Sequence, residues 1–289
     1  QINIITNIDK EHLDFYKSKK NLLTAFKEFI NNLPFYGYSI ICIDNINSKK
    51  IYKDIKTRKI ITYSKNQNSD FKYKIIKKNI DSTSFSIFIK KGVIDGIEGK
   101  FNFNTTLLGD HNIANATGAI IVSLIAKIPL KIIKNSLTNF QGVKRRFSFI
   151  GNIKKARIYD DYAHHPTEIK ASYEIAKQLS VKKIIIVFQP HRYSRTNILL
   201  NDFIKVLQKI DILYILDIYA AGEKPIKNIN SLNLVKKLNK KNKKVFYCNK
   251  KNNLYSTLEP YFNGENIIVF MGAGSITHMA TKLLKKNSV

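Results

Sequence analysis

Two short segments concentrate side chains able to hold an anion and move a proton. DYAHHPTE (161–168) sets Asp161, Tyr162, His164, His165 and Glu168 close together, directly after Asp160. The carboxylate pair Asp160 and Asp161 can hydrogen-bond a ribose or steady a histidine, and a histidine can meet a substrate carboxylate or amine. The same residues also suit a capped helix that carries two surface histidines, with Pro166 in its first turn and Glu168 at its positive end. QPHRYSRT (189–196) places Arg192 and Arg195 at a spacing that brings both to one face of a turn or helix. Together with His191 they make an anion clamp of charge-assisted bonds. The other reading, two exposed arginines at a helix start, runs against the helix macrodipole.

Four further segments carry weaker signals. In GDHNIANA (109–116), Asn112 and Asn115 fall on the first turns of a helix, where an amide can read the edge of a base because it donates and accepts at once. A helix cap explains one of the two equally well. TNIDKEHLD (6–14) holds Asp9, Glu11, His12 and Asp14, a set able to ligate a divalent cation or to form a solvated acidic loop. MGAGSI (271–276) could cradle a phosphate, but without a third glycine a tight strand–helix turn is the default. GIEGKF (96–101) is no P-loop: the first glycine is missing at the required distance, and Phe101 stands where a hydroxyl must reach Mg²⁺.

The elements that must position these residues change character along the chain. The first half reads as mixed α/β: a β-branched run at 2–6, a helix over 18–31, a buried strand at 38–44, and a strand series at 60–63, 72–76, 84–89 and 93–103. Helices follow from near His111 and over 130–139. The second half alternates strictly, with strands expected at 156–162, 183–190, 211–219, 244–248 and 266–274. Helices are expected at 167–179, 197–209, 231–240, near 252–258, and at 276–286. Near-continuous apolar strands separated by helices predict a parallel, doubly wound sheet, whose ligand loops lie at the carboxyl ends of its strands. The boundary is placed near Arg146, after FQGVKRR.

Composition limits the alternatives. No stretch of the 289 residues approaches the roughly 20 apolar residues needed to span a bilayer. Cys42 and Cys248 stand alone in strand-like runs and make neither a metal spacing nor a disulfide framework, which fits a reducing cytosol. The formal charge of +28 comes from 43 Lys against 6 Arg, spread throughout the chain among abundant Ile and Asn. That is compositional drift more than a nucleic-acid surface, which would use Arg forks more heavily. Against this background Arg145, Arg146, Arg192 and Arg195, in two clusters, suggest planar anionic partners, although Arg58 and Arg157 have no such pattern. The start, QINIITNIDK, has no signal-peptide pattern and no Met, so it is not expected to be the natural one.

TNIDKEHLD, NLPFYG, GDHNIAN, FQGVKRRF, DDYAHHPTE, FQPHRYSRT and GAGSI occur in an order that resembles the Mur ligase family, over nearly all of the chain. The likeness is to its L-alanine-adding member. Glu11 stands where that pattern usually has Asp, and QPHRYSRT separates the chain from the related murein tripeptide-recycling ligase. The resemblance implies an α/β protein, with the mixed-sheet part of an ATP-binding central domain over 1–145 and a doubly wound, Rossmann-like, amino-acid-binding C-terminal domain over 146–289. It implies ATP and Mg²⁺ as cofactors, and UDP-N-acetylmuramate and L-alanine as substrates of a cytoplasmic enzyme of peptidoglycan synthesis.

By the same resemblance His12 binds a second Mg²⁺. His111, Asn112 and Asn115 flank the adenine, with Arg146 near the nucleotide, and Asp161 meets the ATP ribose or phosphates. His164, Arg192 and Arg195, with Tyr162 and His165, hold L-alanine or the muramyl carboxylate end. The family also carries a UDP-binding domain, a GxxGK[ST] loop and a metal-binding glutamate upstream of the TN segment, and none lies within these residues. The expectation is therefore a fragment, the product of a split gene, or one part of a two-chain enzyme, inactive toward ATP by itself. The alternatives are the murein tripeptide-recycling ligase of the same family and a nucleotide-binding remnant without catalysis.

Overall fold

The computed structural model describes residues 1–55, 58–179, 182–239, 244–249 and 254–285. It divides into a unit Gln1–Gln141 and a unit Gly142–Val289. Residues 240, 252, 253 and 286 of the expected helices lie outside the described residues.

In the first unit the order is β1 (Ile2–Ile5), α1 (Leu13–Tyr16), α2 (Lys19–Asn31), β2 (Tyr38–Cys42), α3 (Ile46–Asp54), β3 (Lys59–Ser64), β4 (Phe71–Lys78), β5 (Thr83–Ile94), β6 (Ile97–Thr105), α4 (Asp110–Ile125) and α5 (Leu130–Asn139). The strands form a sheet in the order β1-β2-β3-β4-β5-β6. Neighbours pair in parallel from β1 to β4, and β4, β5 and β6 continue it as an antiparallel meander. One face is covered by α4, whose Ile113, Ala116, Ile120, Ile121 and Leu124 pack with Tyr63, Phe71, Phe85 and Phe103. Leu22 and Ile30 of α2 and Ile51 of α3 pack with Ile5, Ile41 and Ile43 in a second core. Both faces are thus buried, which is why the parallel strands read as unbroken apolar runs. The expected strand 93–103 is instead a hairpin: Ile94 pairs with Ile97, and Gly96 (φ +70°) takes the left-handed turn.

The second unit contains β7 (Ser148–Ile153), β8 (Ala156–Asp161), α6 (Pro166–Gln178), β9 (Ile184–Phe188), α7 (Tyr193–Ile198), α8 (Leu200–Leu207), β10 (Ile212–Ile215), α9 (Ser231–Asn239), β11 (Val245–Tyr247), α10 (Leu254–Leu258), β12 (Ile267–Met271) and α11 (Ile276–Lys285). Its sheet runs β11-β10-β9-β12-β8-β7. The last strand is therefore inserted between β8 and β9, and the loops after all three emerge side by side. Strands β8 to β12 pair in parallel as expected. The exception is β7, an unforeseen edge strand antiparallel to β8. The helix expected at 197–209 starts earlier, at Tyr193, and breaks at Leu199 into α7 and α8.

Candidate functional site

The chain leaves β8 through Asp160 and Asp161, and both carboxylates turn inward. Asp161 is 3% exposed; its Oδ1 accepts from the Ala163 N–H at 3.0 Å and its Oδ2 from the Ser172 hydroxyl. Burial pushes its carboxyl up to about 6, against the hydrogen bonds from Ser172 and Ala163. Asp160, 2% exposed, accepts from the Thr277 hydroxyl at 3.0 Å and lies 3.7 Å from Arg145 Nε. Oxygens of both carboxylates are thus engaged within the fold, by Ala163 and Ser172 at Asp161 and by Thr277 at Asp160.

Glu168 is the carboxylate that steadies the histidines. Its Oε2 accepts from the His164 N–H at 3.0 Å and the His165 N–H at 3.2 Å. His165 completes the cap of α6, its Nδ1 accepting from the Thr167 N–H at 3.3 Å. It is buried, so the capped-helix reading describes His165. His164 differs: its Nδ1–H donates to the Tyr162 carbonyl at 2.9 Å, a tautomer that leaves Nε2 as the nitrogen able to exchange a proton.

The two neighbouring arginines separate in role. Arg145 donates to the Gly272 carbonyl at 2.9 Å and lies over the Tyr162 ring at 4.6 Å, so it fastens the β12 loop to the β8 loop. Arg146, with its side chain 52% exposed, pairs with Glu168 Oε1 at 3.2 Å. Left-handed backbone at Arg145 (φ 60°) and Phe147 (φ 50°) stores strain of roughly 1–2 kcal/mol at each residue.

Beyond β9 the chain runs Gln189, Pro190, His191 and Arg192. The Arg192 N–H donates to the Tyr219 carbonyl and the Tyr219 N–H to the Pro190 carbonyl, both at 2.8 Å, so a bridge prolongs the β9–β10 pairing past the strands. Arg192 caps α7 with φ 70°, and Arg195 falls on its first turn. Arg195 Nη1 donates to His191 Nδ1 at 3.1 Å and to the His191 carbonyl at 3.2 Å. Burial lowers the His191 pKa to about 4, aided by the charges of Arg195, His164 and Arg192. In the expected clamp of Arg192, Arg195 and His191, the imidazole therefore accepts from Arg195.

Aromatic rings line the ends of these loops. Tyr162 meets His164 edge-on at 5.3 Å, His164 lies 5.7 Å from His191, and His191 stacks on Tyr219 at 5.4 Å. Tyr219 and Gln189 were not singled out from the sequence, and Glu168 was read there chiefly as a carboxylate at the start of a helix. The signal for Glu168 was present in its place three residues after His165, whereas nothing in the chain order marks Tyr219. Between the β8 and β9 loops runs GAGS, which the structure shows as a tight strand–helix turn. A Cβ on Gly274 would lie 2.6 Å from Gln189 Oε1 and 2.7 Å from Tyr219 Cγ, and one on Gly272 2.8 Å from the Gln189 carbonyl. These glycines serve close packing.

The first-unit candidates form a sparser set. His111 and Asn115 are exposed one helical turn apart on α4, while Asn112 Nδ2 donates to the Leu108 carbonyl at 2.8 Å. Beside them Asp110 holds Lys65 and Lys78, each at 2.6 Å. Burial works to raise the Asp110 pKa, but the lysine hydrogen bonds prevail and lower it. His12 is exposed and left-handed (φ 54°) at the start of α1. Among the described residues no three His, Cys, Asp or Glu side chains gather as a metal site, and the side chain of Asp14 is outside them. These residues do not by themselves fit an Mg²⁺ ion. No described helix is long and apolar enough to cross a membrane.

Comparison with known proteins gives this geometry a context. Residues 1–123 match the Mur ligase middle domain, and residues 145–274 match the Mur ligase glutamate ligase domain. A UDP-N-acetylmuramate–L-alanine ligase of Rickettsia felis is 41% identical over 288 residues, covering 98% of this chain and 60% of the relative. The chain thus spans about 60% of the length of the curated relatives it matches. The fold is similar to the UDP-N-acetylmuramate–alanine ligase of Thermotoga maritima, with TM-score 0.72 and 22% identity over 99% of this chain and 59% of that one. It is also similar to a MurF ligase of Thermotoga maritima in complex with ADP, with TM-score 0.74 and 16% identity over 99% of this chain and 63% of that one.

Proposed function

This chain belongs to the Mur ligase family, and we propose that it is the middle and C-terminal part of an ATP-dependent ligase that joins L-alanine to UDP-N-acetylmuramate. The observation that carries the reading is the convergence of Tyr162, His164, His191 and Arg195 at the carboxyl ends of β8 and β9. It rests also on the identity to the ligase of Rickettsia felis.

An amide does not form from a free carboxylate, because hydroxide is too poor a leaving group. In the proposed reaction the muramyl carboxylate attacks the γ-phosphorus of ATP, giving an acyl phosphate and ADP. The amine of L-alanine then attacks the acyl carbon and loses a proton, and the tetrahedral intermediate expels phosphate. Arginine forks suit the planar carboxylate of a substrate, so Arg192 and Arg195 hold it. His164 offers Nε2 for the proton that the amine loses. His191 orients Arg195, and Tyr162 and Tyr219 wall the row. Asp161 and His165 act through the loop and helix they brace. In the middle unit His111 and Asn115, with Asn112, take the adenine; Arg146 remains a nucleotide contact. Magnesium would screen the transferring phosphoryl charge, and of the residues present only His12 is assigned to it, so no step is routed through it. The reaction makes the protein a cytoplasmic participant in cell-wall synthesis, and hence in cell shape and division.

The test is phosphate release from ATP that requires both L-alanine and UDP-N-acetylmuramate, measured with Mg²⁺ on the full-length protein containing this chain. Dependence on both substrates, lost in Arg195→Ala, supports the reading. Phosphate release that ignores L-alanine overturns it.

A further inference from the structure

Arg192 and Arg195 flank Ser194 at α7, Arg192 as its cap. Backbone N–H groups give a helix N-terminus a partial positive charge, and the capping Arg192 adds to it. The carboxylate facing that terminus comes from another loop. Glu223 accepts from the Ser194 N–H at 3.0 Å through Oε2 and from the Ser194 hydroxyl at 2.5 Å through Oε1. The turn that presents it takes left-handed backbone at Ala221 (φ 50°), which costs an alanine strain, and at Gly222 (φ 86°), where glycine adopts it freely. The same loop supplies Tyr219, which stacks on His191 and exchanges backbone hydrogen bonds with Pro190 and Arg192.

We propose that Glu223 is a positioning residue for the ligase reaction, holding the start of α7 so that Arg192 and Arg195 keep their places beside His191. This rests on the proposed function, since it is the substrate-binding arginines that Glu223 positions. Glu223 touches no reacting atom. Its action passes through Ser194, which lies between the two arginines in sequence and takes both carboxylate oxygens. The loop after β10 thereby becomes part of the site.

The experiment has two arms. In this chain without ligands, amide hydrogen exchange at Ser194 is compared between wild type, Glu223→Ala and Glu223→Gln. Losing the acceptor of a partly buried charge-assisted bond is expected to accelerate exchange in Glu223→Ala by about tenfold or more, while glutamine, which keeps an acceptor, stays near wild type. In the full-length enzyme, Arg195→Ala identifies the substrate whose KM depends on the clamp. Glu223→Ala is expected to raise that same KM about tenfold, leaving the KM for ATP unchanged, and Glu223→Gln to recover most of the loss.

Unchanged exchange at Ser194, or an unchanged clamp KM, overturns the proposal. So does an equal rise in the KM for ATP, which marks general destabilisation. Should Glu223→Ala fail to fold, Glu223→Gln and Ser194→Ala decide: with Ser194→Ala the clamp KM must rise more than with Glu223→Gln. A wild-type enzyme without L-alanine-dependent turnover would sink the functional reading itself, and the exchange result would then still stand or fall for the loop contact alone.

Discussion

Arg195 reaches back along its own segment to His191, donating from Nη1 to the ring Nδ1 at 3.1 Å and to the carbonyl at 3.2 Å. A guanidinium cannot accept, so the imidazole must, and it must be neutral to do so. One of the histidines nearest the arginines is therefore a fixed acceptor that orients a cation.

This pairing predicts how His191 titrates. Its ring should show an NMR midpoint near the value of about 4 set by burial and then by Arg195. Arg195→Ala should raise that midpoint, since the charge is removed and burial is relieved. An unchanged midpoint in the variant would mean that the guanidinium contact is absent in solution.

Stability should carry two opposed pH slopes. His191 has a pKa of about 4 when folded against 6.5 as an ordinary value, so between these pH values the unfolded chain binds more protons. The stability tied to its neutral form is complete above 6.5 and is lost as pH falls through 4. Asp161 behaves oppositely: at about 6 against 3.8, the folded state holds the extra proton, and its contribution declines as pH rises through 6. Denaturant unfolding of His191→Asn and Asp161→Asn between pH 4 and 7 should thus deviate from wild type with slopes of opposite sign.

Asp161→Asn also separates a framework role from a nucleotide contact. Asparagine can accept from the Ala163 N–H and donate to the Ser172 hydroxyl oxygen, preserving both partners. The KM for ATP in the full-length enzyme is expected to stay within about threefold of wild type. A rise of about a hundredfold or more would assign the carboxylate to direct nucleotide binding.

Gly274→Ala should be destabilising although alanine is only one carbon larger. The new Cβ would sit 2.6 Å from Gln189 Oε1 and 2.7 Å from the Tyr219 ring. Relief requires movement of Tyr219 and hence of His191 stacked on it. We expect a loss of about 1–3 kcal/mol in chemical denaturation, with weakened binding of whichever substrate the arginines hold.

In the first half of the chain, α3 escaped notice. Its residues INSKKIYKD show only a faint apolar stripe, with Ile51 as the apolar residue fully buried in the core. The cap that starts it, Asn45 accepting from the Asn47 and Ser48 N–H groups, is one asparagine among many. The strand β7 was missed because Gly151 interrupts an otherwise short run, and the bulge there accommodates it only by pairing with β8. The early start of α7 was hidden for another reason: Arg192 adopts a left-handed cap, and Glu223, distant in the chain, stabilises the turn that follows.

What the sequence by itself determined is local and periodic: the alternation of buried strands with helices, the glycine turns, the Pro166–Glu168 helix start, and the strand-end placement of DYAHHPTE and QPHRYSRT. Each follows from side-chain periodicity or from backbone freedom within a few residues. Only the tertiary structure decided which of those polar groups face outward and which partners they meet. Adjacent residues of a strand point to opposite faces, so whether Asp160, Asp161 or Glu168 would serve the histidines depended on what packs on each face. The insertion of β12 between β8 and β9 brings Gly272 and Gly274 to Arg145, Gln189 and Tyr219. Chain order carries no record of that neighbourhood, because strand order in a sheet is set by which faces bury best together.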